Sequence, residues 1–506
     1  MRVDLEKCTG CGSCAEVCPL ETIGLVEKKA LIGEDCVDCG ACQKVCPKGA
    51  LQRDETPIED AVPCAACPIF CQIKPGKTGA CHRFINKDGI LVRSIPLHRF
   101  EDVEEGIGPD HEAAIRKPLI TGIGAGTTYP DYKPAPHIAR ATVEGVDVVT
   151  VVTEAPLSYS GIKVKIDTDR NIGQEGSPVL LRKKKVGHVT SEEYGSKMLS
   201  LGGVNLLTGK DGMIVARLIA DIANREPFSL SVKDGAELDL QVGGSPLIDG
   251  ETTQLMRVGC GSASMGLFAP YFLEAADEVV VLDSHLIGLF TEHTAGKFIG
   301  ARYSGVRLKA RMSTLGRYFG EHGKGWGGTP IENPLDIVEG VDHDVARPGM
   351  TLLITETTGE RSAMFRLNER GRFEPIKLSE KARRAVNVIS ETCQPSRVSA
   401  IFVGGTGGSA RAGVTRYPVR LNEAIHNNRA KLTVGGAPVF ILPGGGINFL
   451  VDVEKVKVRA FTWVPTPAPV VPIEYTMRTE DYLEIGGHRD AMRPLHELLM
   501  EIEERD

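Results

Sequence analysis

Eight cysteines near the start of the chain form two copies of one string, and their spacing is that of a metal site. Each copy has the order Cys-x2-Cys-x2-Cys-x3-Cys-Pro, the spacing with which [4Fe–4S] cubes are bound in pairs. In such pairs three thiolates of a cube come from one string and the fourth comes from the other. The spacing therefore predicts one cube on Cys8, Cys11, Cys14 and Cys46, and a second on Cys36, Cys39, Cys42 and Cys18.

A zinc site or disulfides are the alternatives for these eight thiols. The doubled spacing favours cubes, because Pro19 and Pro47 follow the last cysteine of each copy in register. Gly10, Gly12 and Gly40 also suit a loop that must turn tightly around a cluster. We interpret this segment as one through which electrons pass.

A third cysteine string follows and differs in its spacing. Its four thiols, separated by two, three and nine residues, are Cys64, Cys67, Cys71 and Cys81. A further [4Fe–4S] cluster and a four-thiolate zinc site both remain open for this set. Its position between the two-cube segment and the rest of the chain favours iron–sulfur. His82 is an alternative ligand or an ordinary loop histidine.

Composition and charge narrow the class of protein. The chain has 506 residues, with 42% hydrophobic and 25% charged residues, which is ordinary for a globular protein with a large core. A net charge of −7 argues against nucleic acid as a partner. With no apolar stretch after Met1 and no long apolar segment, we expect neither a secretory signal nor a membrane span. Twelve of the 14 cysteines precede residue 82 in metal-ligand spacing, so we expect a cytoplasmic protein.

The elements after residue 96 change in character. Apolar β-branched runs predict strands, and helical periodicity alternates with some of them, as over 212–224 and over 379–388 with Ser379 as N-cap. The strand candidates are Val146–Thr153, Glu278–Leu282, Met350–Thr355, Val398–Val403 and Pro438–Leu442. We predict an α+β ferredoxin-like head with two [4Fe–4S] clusters, a small four-cysteine metal module and a large α/β catalytic body. The predicted boundaries are 1–55, 56–95 and 96–506, with a possible split of the body near residue 240.

Two glycine-rich segments are candidates for cofactor binding. Gly259 and Gly261 precede a helical run, a strand and then Asp283, an order typical of a dinucleotide-binding unit, although the glycine spacing departs from that pattern. The second segment follows the apolar run Val398–Val403, and it would hold a flavin phosphate or a substrate carboxylate unless it is only a tight turn. Its candidate residues are Gly404, Gly405, Gly407, Gly408, Ser409 and Arg411.

Three histidines are candidates for the proton donor, because imidazole titrates near neutral pH. They are His188, His285 and His293. A purely structural role is the alternative for each one. A cationic run of three arginines would either bind a substrate carboxylate or lie exposed on the surface. They are Arg302, Arg307 and Arg311.

From end to end the chain resembles the 6-hydroxynicotinate reductase family. The resemblance rests on the three cysteine strings and on two body segments, residues 186–203 and 404–415. It implies reduction of a pyridone carboxylate to 1,4,5,6-tetrahydro-6-oxonicotinate, reduced ferredoxin as electron donor, and a flavin, FMN or FAD. Residues 121–128 match only in part the threonine-containing string through which some flavoproteins attach FMN.

Two other functions stay open at this point. A protein of this architecture could reduce another ring or an unsaturated acid, or it could be an electron-transfer subunit of a larger complex. Because single electrons must be paired before a two-electron reduction, a flavin is the expected companion of the clusters. We also expect a homo-oligomer and a small aromatic carboxylate as substrate.

Overall fold

A computed structural model describes the chain except for residues 55–57, 65–68, 83, 94–133, 136, 169, 194–195, 285–286, 310, 314–315, 319–322, 408–410, 412, 466 and 504–506. The head is built from two antiparallel strand pairs and two short helices that carry the first two cysteine strings. The pairs are Arg2–Val3 with Leu51–Gln52 and Ile23–Val26 with Lys29–Ile32, and the helices are Ser13–Glu16 and Ala41–Val45.

A small module follows the head and consists of two further strand pairs. They are Val62–Pro63 with Gln72–Ile73 and Phe84–Lys87 with Ile90–Arg93. Its core contains Cys64, Cys71 and Ile73, and it also takes in Val37 from the head. The module and the head therefore share one apolar cluster.

Two large sheets form the main part of the body among the described residues. Sheet A has seven strands: Ala437–Pro438, Ala430–Val434, Ala468–Arg478, Val146–Pro156, His137–Val143 and Arg493–Pro494 in order, with Thr462–Val464 beside Ala468–Arg478. Sheet B has eleven, in the order Glu251–Thr252, Leu247–Ile248, Glu237–Leu240, Phe228–Val232, Pro178–Leu181, Lys184–Glu193, Ser196–Gly202, Gly161–Asp167, Val398–Thr406, Ile447–Asp452 and Phe440–Ile441.

The helix Gly212–Ala223 joins the two sheets. Its sequence places apolar residues on most of its surface, and nine of its twelve residues are buried. It contacts strands of both sheets, so one apolar core runs through both of them. The remaining helices of this part are Val204–Leu207, Pro418–His426, Thr479–Glu484 and Leu495–Glu503, with 3-10 turns at Val453–Lys455 and Arg489–Ala491.

A second unit is inserted between two strands of sheet B. The chain leaves and returns along the paired strands Leu255–Met256 and Gln394–Pro395. Its five-stranded sheet C runs in the order Gly288–Leu289, Glu278–Leu282, Thr351–Glu356, Ser362–Leu367 and Phe373–Ile376, with side pairs Val306–Leu308 with Val338–Val341 and Arg311–Ser313 with Gly316–Tyr318. Its helices are Gly261–Leu267, Ala269–Ala275, Thr294–Phe298 and Glu380–Thr392, with 3-10 turns at Trp326–Gly328 and Pro334–Ile337.

The body mixes helices and strands, but most of its described strand pairs are antiparallel. Only Glu278–Leu282 with Thr351–Glu356, and two residues of Arg493–Pro494 with His137–Val143, run parallel among them. The local pattern predicted alternating strands and helices without showing which strands pair. The strand Glu251–Thr252 is the last strand of sheet B before the chain enters the second unit, and the split of the body near residue 240 stays a prediction. Within the described residues no helix is both long and apolar enough to cross a membrane.

A buried carboxyl lies in the centre of sheet A. Glu474 is fully buried, and its Oε2 accepts hydrogen bonds from Thr433 Oγ1 at 2.7 Å and from Gly436 N at 3.4 Å. Loss of hydration raises the pKa of Glu474 well above its usual range, and the nearby carboxyl of Glu154 raises it further. The folded protein therefore favours the protonated form of Glu474.

This burial gives a test of sheet A. A carboxyl whose pKa is raised in the folded state stabilises the fold when protonated, and that contribution is lost as pH rises toward the folded-state pKa. We expect the free energy of unfolding of Glu474→Gln, relative to the natural chain, to increase with pH above the ordinary glutamate range. Glu474→Ala leaves Thr433 and Gly436 without their acceptor, so it should cost about 1–3 kcal/mol.

The measurement is chemical denaturation at several pH values. The matched control is Glu480→Gln, because the Glu480 side chain is 77% exposed in the helix Thr479–Glu484 that follows the same strand. A Glu474→Gln variant whose stability follows that of the natural chain at every pH would contradict the assignment.

Candidate iron–sulfur site

Two cavities in the head each contain four cysteines. Cys8, Cys11, Cys14 and Cys46 line one, together with the apolar side chains of Leu25, Ala30 and Leu51. Cys18, Cys36, Cys39 and Cys42 line the other, with Ile23 and Val37. Each cavity gathers the four thiols that the spacing assigns to one cube; ligation itself stays a prediction.

Glycine backbone makes room for these cavities. Gly12 and Gly40 have φ of 82° and 75° and precede the two cysteine-bearing helices. At Gly10 an added Cβ would lie 2.1 Å from the Lys28 carbonyl oxygen. The tight approach of backbone to backbone is therefore possible only without a side chain.

Backbone N–H groups donate to the sulfurs of both cavities. Ala30 N lies 3.3 Å from Cys8 Sγ, and Ala50 N lies 3.2 Å from Cys46 Sγ. In the second cavity Thr22 N lies 3.3 Å from Cys18 Sγ, and the Thr22 hydroxyl adds a contact at 3.4 Å. The two strings repeat every 28 residues, so Ala50 takes the place of Thr22 in the first cavity and has no hydroxyl.

The thiols need a cation to ionise. Burial raises the pKa of Cys39 to about 11 and that of Cys42 to about 12, and neighbouring cysteines add repulsion between thiolates. Burial also raises the pKa of Cys14, whereas hydrogen bonds at Ser13 lower that of Cys11. Iron binding would displace these protons and supply the missing positive charge. The donor set thus fits an iron–sulfur cube.

The third string lies between head and body. Cys64 and Cys71 are buried and adjacent, because Cys64 N donates to the Cys71 carbonyl oxygen at 2.8 Å. Cys81 packs against an apolar cluster of the body formed by Val464, Ala468 and Val470. Cys67 lies outside the described residues. Among those described, no three His, Cys, Asp or Glu side chains are grouped to hold a single metal ion.

His82 connects the module with the first string. Its Nε2 lies 2.9 Å from the carbonyl oxygen of Pro19, directly after Cys18. This contact gives the imidazole a structural role at the boundary of head and module.

The second predicted glycine segment is strand at its beginning, so the prediction of a loop there is wrong. Gly404 and Gly405 belong to the strand Val398–Thr406, opposite Phe449 and Asn448. A Cβ at Gly404 would lie 2.8 Å from the rings of Phe402 and Phe449, so the glycine serves ring packing rather than a cofactor cradle.

The part of this segment beyond the strand is only partly described. Gly407 has open space beside it, and Gly408 and Ser409 lie outside the described residues. The Arg411 guanidinium donates to Asn422 Oδ1 and, at 3.3 Å, to the Gly407 carbonyl oxygen. These contacts hold Arg411 at the strand end.

The first glycine segment does not form the predicted dinucleotide unit. The strand before it, Leu255–Met256, pairs with Gln394–Pro395 and not with sheet C. Asp283, which would face a ribose, accepts from Gly261 N at 3.3 Å and forms a buried ion pair with Arg257. The Asp283 carboxylate therefore binds the backbone of Gly261 and the side chain of Arg257. Gly259 lies two residues before Gly261 in the same segment.

Of the candidate proton donors, His188 and His293 lie in different units of the body. His188 is exposed on sheet B, opposite Ser200. His293 is the N-cap of Thr294–Phe298, where its Nδ1 accepts from Ala295 N at 3.2 Å, and burial lowers its pKa. His285 lies outside the described residues. Arg302 and Arg307 are exposed, as the surface alternative predicts.

Sequence reasoning missed a large cavity between head and body. Its volume is about 540 Å³, and it is bounded by the end of the first head helix, the helix Gly212–Ala223 and the turn at Arg182–Lys183. A basic run at residues 182–185 is the sequence signal that could have indicated it, because Arg182, Lys183 and Lys184 line the cavity.

Comparison with known proteins agrees with the metal chemistry. A family model for a 4Fe-4S dicluster domain matches residues 1–47. A 6-hydroxynicotinate reductase from Eubacterium barkeri is 48% identical over 501 residues, which cover 98% of this chain and 99% of that protein. No solved structure matches the chain significantly. The first 47 residues are therefore an iron–sulfur dicluster domain.

The Thr22 hydroxyl predicts a difference between the two cubes. A hydrogen bond to a ligand sulfur favours the reduced, more negative cluster, so its loss lowers the reduction potential. If the bond is about 1 kcal/mol stronger to the reduced than to the oxidised cluster, Thr22→Val should lower the midpoint potential of one cube by about 40 mV and leave the other unchanged.

Redox titration followed by electron paramagnetic resonance measures both potentials. Thr22→Ser keeps the hydroxyl and should retain the natural value. The reciprocal change, Ala50→Ser, should raise the potential of the other cube. Equal potentials in Thr22→Val and the natural chain would contradict the assigned role of the hydroxyl.

Proposed function

The chain belongs to the 6-hydroxynicotinate reductase family, and from that premise we propose that it reduces the pyridone ring of 6-hydroxynicotinate to 1,4,5,6-tetrahydro-6-oxonicotinate. The observation that supports this activity most strongly is the 48% identity to such a reductase over 98% of the chain. The chain is an iron–sulfur oxidoreductase. Reduced ferredoxin is the proposed electron donor, because cubes of this kind reach low potentials and exchange single electrons.

The eight head cysteines are the proposed cube ligands. Cys8, Cys11, Cys14 and Cys46 would hold one cube, and Cys18, Cys36, Cys39 and Cys42 the other. Bound cubes supply low-potential single electrons, which loss of ring aromaticity requires. The chain's own part is to donate hydrogen bonds from backbone N–H groups to the sulfurs and to surround the cubes with apolar side chains.

The second cysteine cavity is the one on the side of the body. Cys39 packs against the module core and also against the core of the two large sheets. Ala41, in the same helix as Cys42, is 1% exposed in that larger core. Lys44 Nζ reaches the Pro465 carbonyl oxygen at 3.1 Å and fixes the head at this position. These contacts support a direction of electron supply from the head toward the body.

We propose that the third string binds a metal, with Cys64, Cys67, Cys71 and Cys81 as ligands. A [4Fe–4S] cube and zinc both suit four thiolates. The position of Cys81 against the body supports iron–sulfur, since this string would lie on the way from head to substrate.

The chemistry of the reaction favours a flavin, but the described residues of the two predicted glycine segments form no binding site for one. Pairing of single electrons favours one. The predicted flavin residues Gly404 and Gly405 are packed in a strand, and Gly261 is bound by Asp283. The described residues at these two places do not fit a flavin.

We also propose that the protein is a homo-oligomer in the cytoplasm. The cysteines of the head and module are grouped in ligand strings and not in pairs, which supports a reducing compartment.

The first experiment is metal, sulfide and flavin analysis of anaerobically purified protein. We expect about twelve iron atoms per chain for three cubes, or about eight iron atoms with one zinc if the third string is structural. Cys64→Ser should remove about four iron atoms or the zinc, whereas Cys260→Ser, outside the strings, should remove neither. Full metal content in Cys64→Ser would contradict the third site.

The second experiment measures turnover. With reduced ferredoxin and no other protein, 6-hydroxynicotinate should be consumed and the tetrahydro product formed. A panel of other aromatic rings and unsaturated acids tests for a different substrate. If no member of the panel is reduced by the chain alone, the protein is an electron-transfer subunit and the proposal fails.

A further inference from the structure

A cavity lies between the head and the body, apart from the two cysteine cavities. It has a volume of about 540 Å³, within the usual range for small-ligand sites. On the head side Glu16 and Val17 line it, and on the body side the residues come from sheet B, the helix Gly212–Ala223 and Trp463. It is thus formed only when head and body are together.

Its position is close to both cysteine cavities. Glu16 and Val17 stand between Cys14, which lines the first cysteine cavity, and Cys18, which lines the second. Val17 is 5% exposed and packs into the body core. A ligand in the cavity would therefore lie beside the backbone that carries ligands of both cubes.

One wall of the cavity is aromatic and aliphatic. Trp463 and Phe228 line it together with Met213 and Leu218. All four are largely buried, so their positions are set by packing. Such a wall suits a flat apolar ring, which makes favourable contacts with aromatic side chains.

The rim is positively charged. Arg182 and Lys183 occupy a turn with φ of 47° and 67°, and neither forms an ion pair with a described residue. Arg217 lies 3.4 Å from Glu21 and 3.9 Å from Asp221, and Lys184 lies 3.3 Å from Asp211. The two turn residues therefore offer cationic groups to an incoming carboxylate.

We propose that this cavity binds a small planar aromatic carboxylate, with the ring along the Trp463 wall and the carboxylate toward Arg182, Lys183 and Arg217. This inference rests on the proposed function, because a pyridone carboxylate belongs to that class of ligand. It deepens the function by naming the place where the substrate meets the electron-supplying head.

Asp221 supports the assignment as a group able to hold a proton in the cavity wall. Burial raises the pKa of Asp221 to about 6, Arg217 lowers it and Glu226 raises it, although 45% of the side chain stays exposed. Glu16 and Glu237 are the other acids lining the cavity. With a pKa of about 6 Asp221 is mostly ionised at neutral pH, and its minor protonated form removes one negative charge from the path of the carboxylate and can donate a proton.

Isothermal titration calorimetry on the full, cluster-loaded chain tests the inference with 6-hydroxynicotinate as the probe. Removing two rim charges in Arg182→Gln/Lys183→Gln should weaken binding by at least about tenfold, and Arg217→Gln should do likewise. The double variant changes only an exposed turn, so loss of folding does not explain its effect. Arg370→Gln, an exposed arginine in the inserted unit, should bind as the natural chain does.

The outcomes separate the two proposals. Unchanged affinity in the rim variants, with natural turnover, overturns the cavity assignment and leaves the function standing. FMN binding there in place of the aromatic carboxylate also overturns it. Rim-dependent binding by a chain that does not reduce 6-hydroxynicotinate supports the cavity assignment and overturns the function.

Discussion

The exchange of one cysteine between the two strings is the constraint on which the head depends. Cys18 ends the first string but lines the cavity of the second, and Cys46 does the reverse. Neither cavity is complete without both strings. The strand pair Arg2–Val3 with Leu51–Gln52 closes the segment end to end, so the eight thiols are brought together in one folding unit.

The head is attached to the body on the side of its second cysteine cavity. The second cysteine cavity shares packing with the small module and with the core of the large sheets, whereas Cys8, Cys14 and Cys46 of the first cavity pack in an apolar cluster of the head itself. Electron supply, third string and the cavity beside Trp463 therefore meet along one boundary. A reductase needs this proximity, because the electrons must reach a ring that is held still.

Local elements and the grouping of the eight head cysteines were predictable because their signals are local. The strand Glu278–Leu282 has the predicted bounds, and Ser379 caps the helix Glu380–Thr392 through a bond from Ala382 N. Strand pairing was not predictable, since Val148 pairs with Arg478 some 330 positions away. Gly404 was misleading because a glycine that admits a phenylalanine ring looks, in sequence, like one in a loop.

The cavity between head and body was not predicted for the same reason, since Val17, Phe228 and Trp463 meet only in the fold.

Single-turnover kinetics show whether the chain by itself reduces the pyridone ring. The chain alone is reduced chemically under argon and mixed with 6-hydroxynicotinate, and the cluster absorbance is followed. We expect the clusters to be reoxidised and the tetrahydro product to form with no other protein present. Clusters that stay reduced in the presence of the substrate would contradict it.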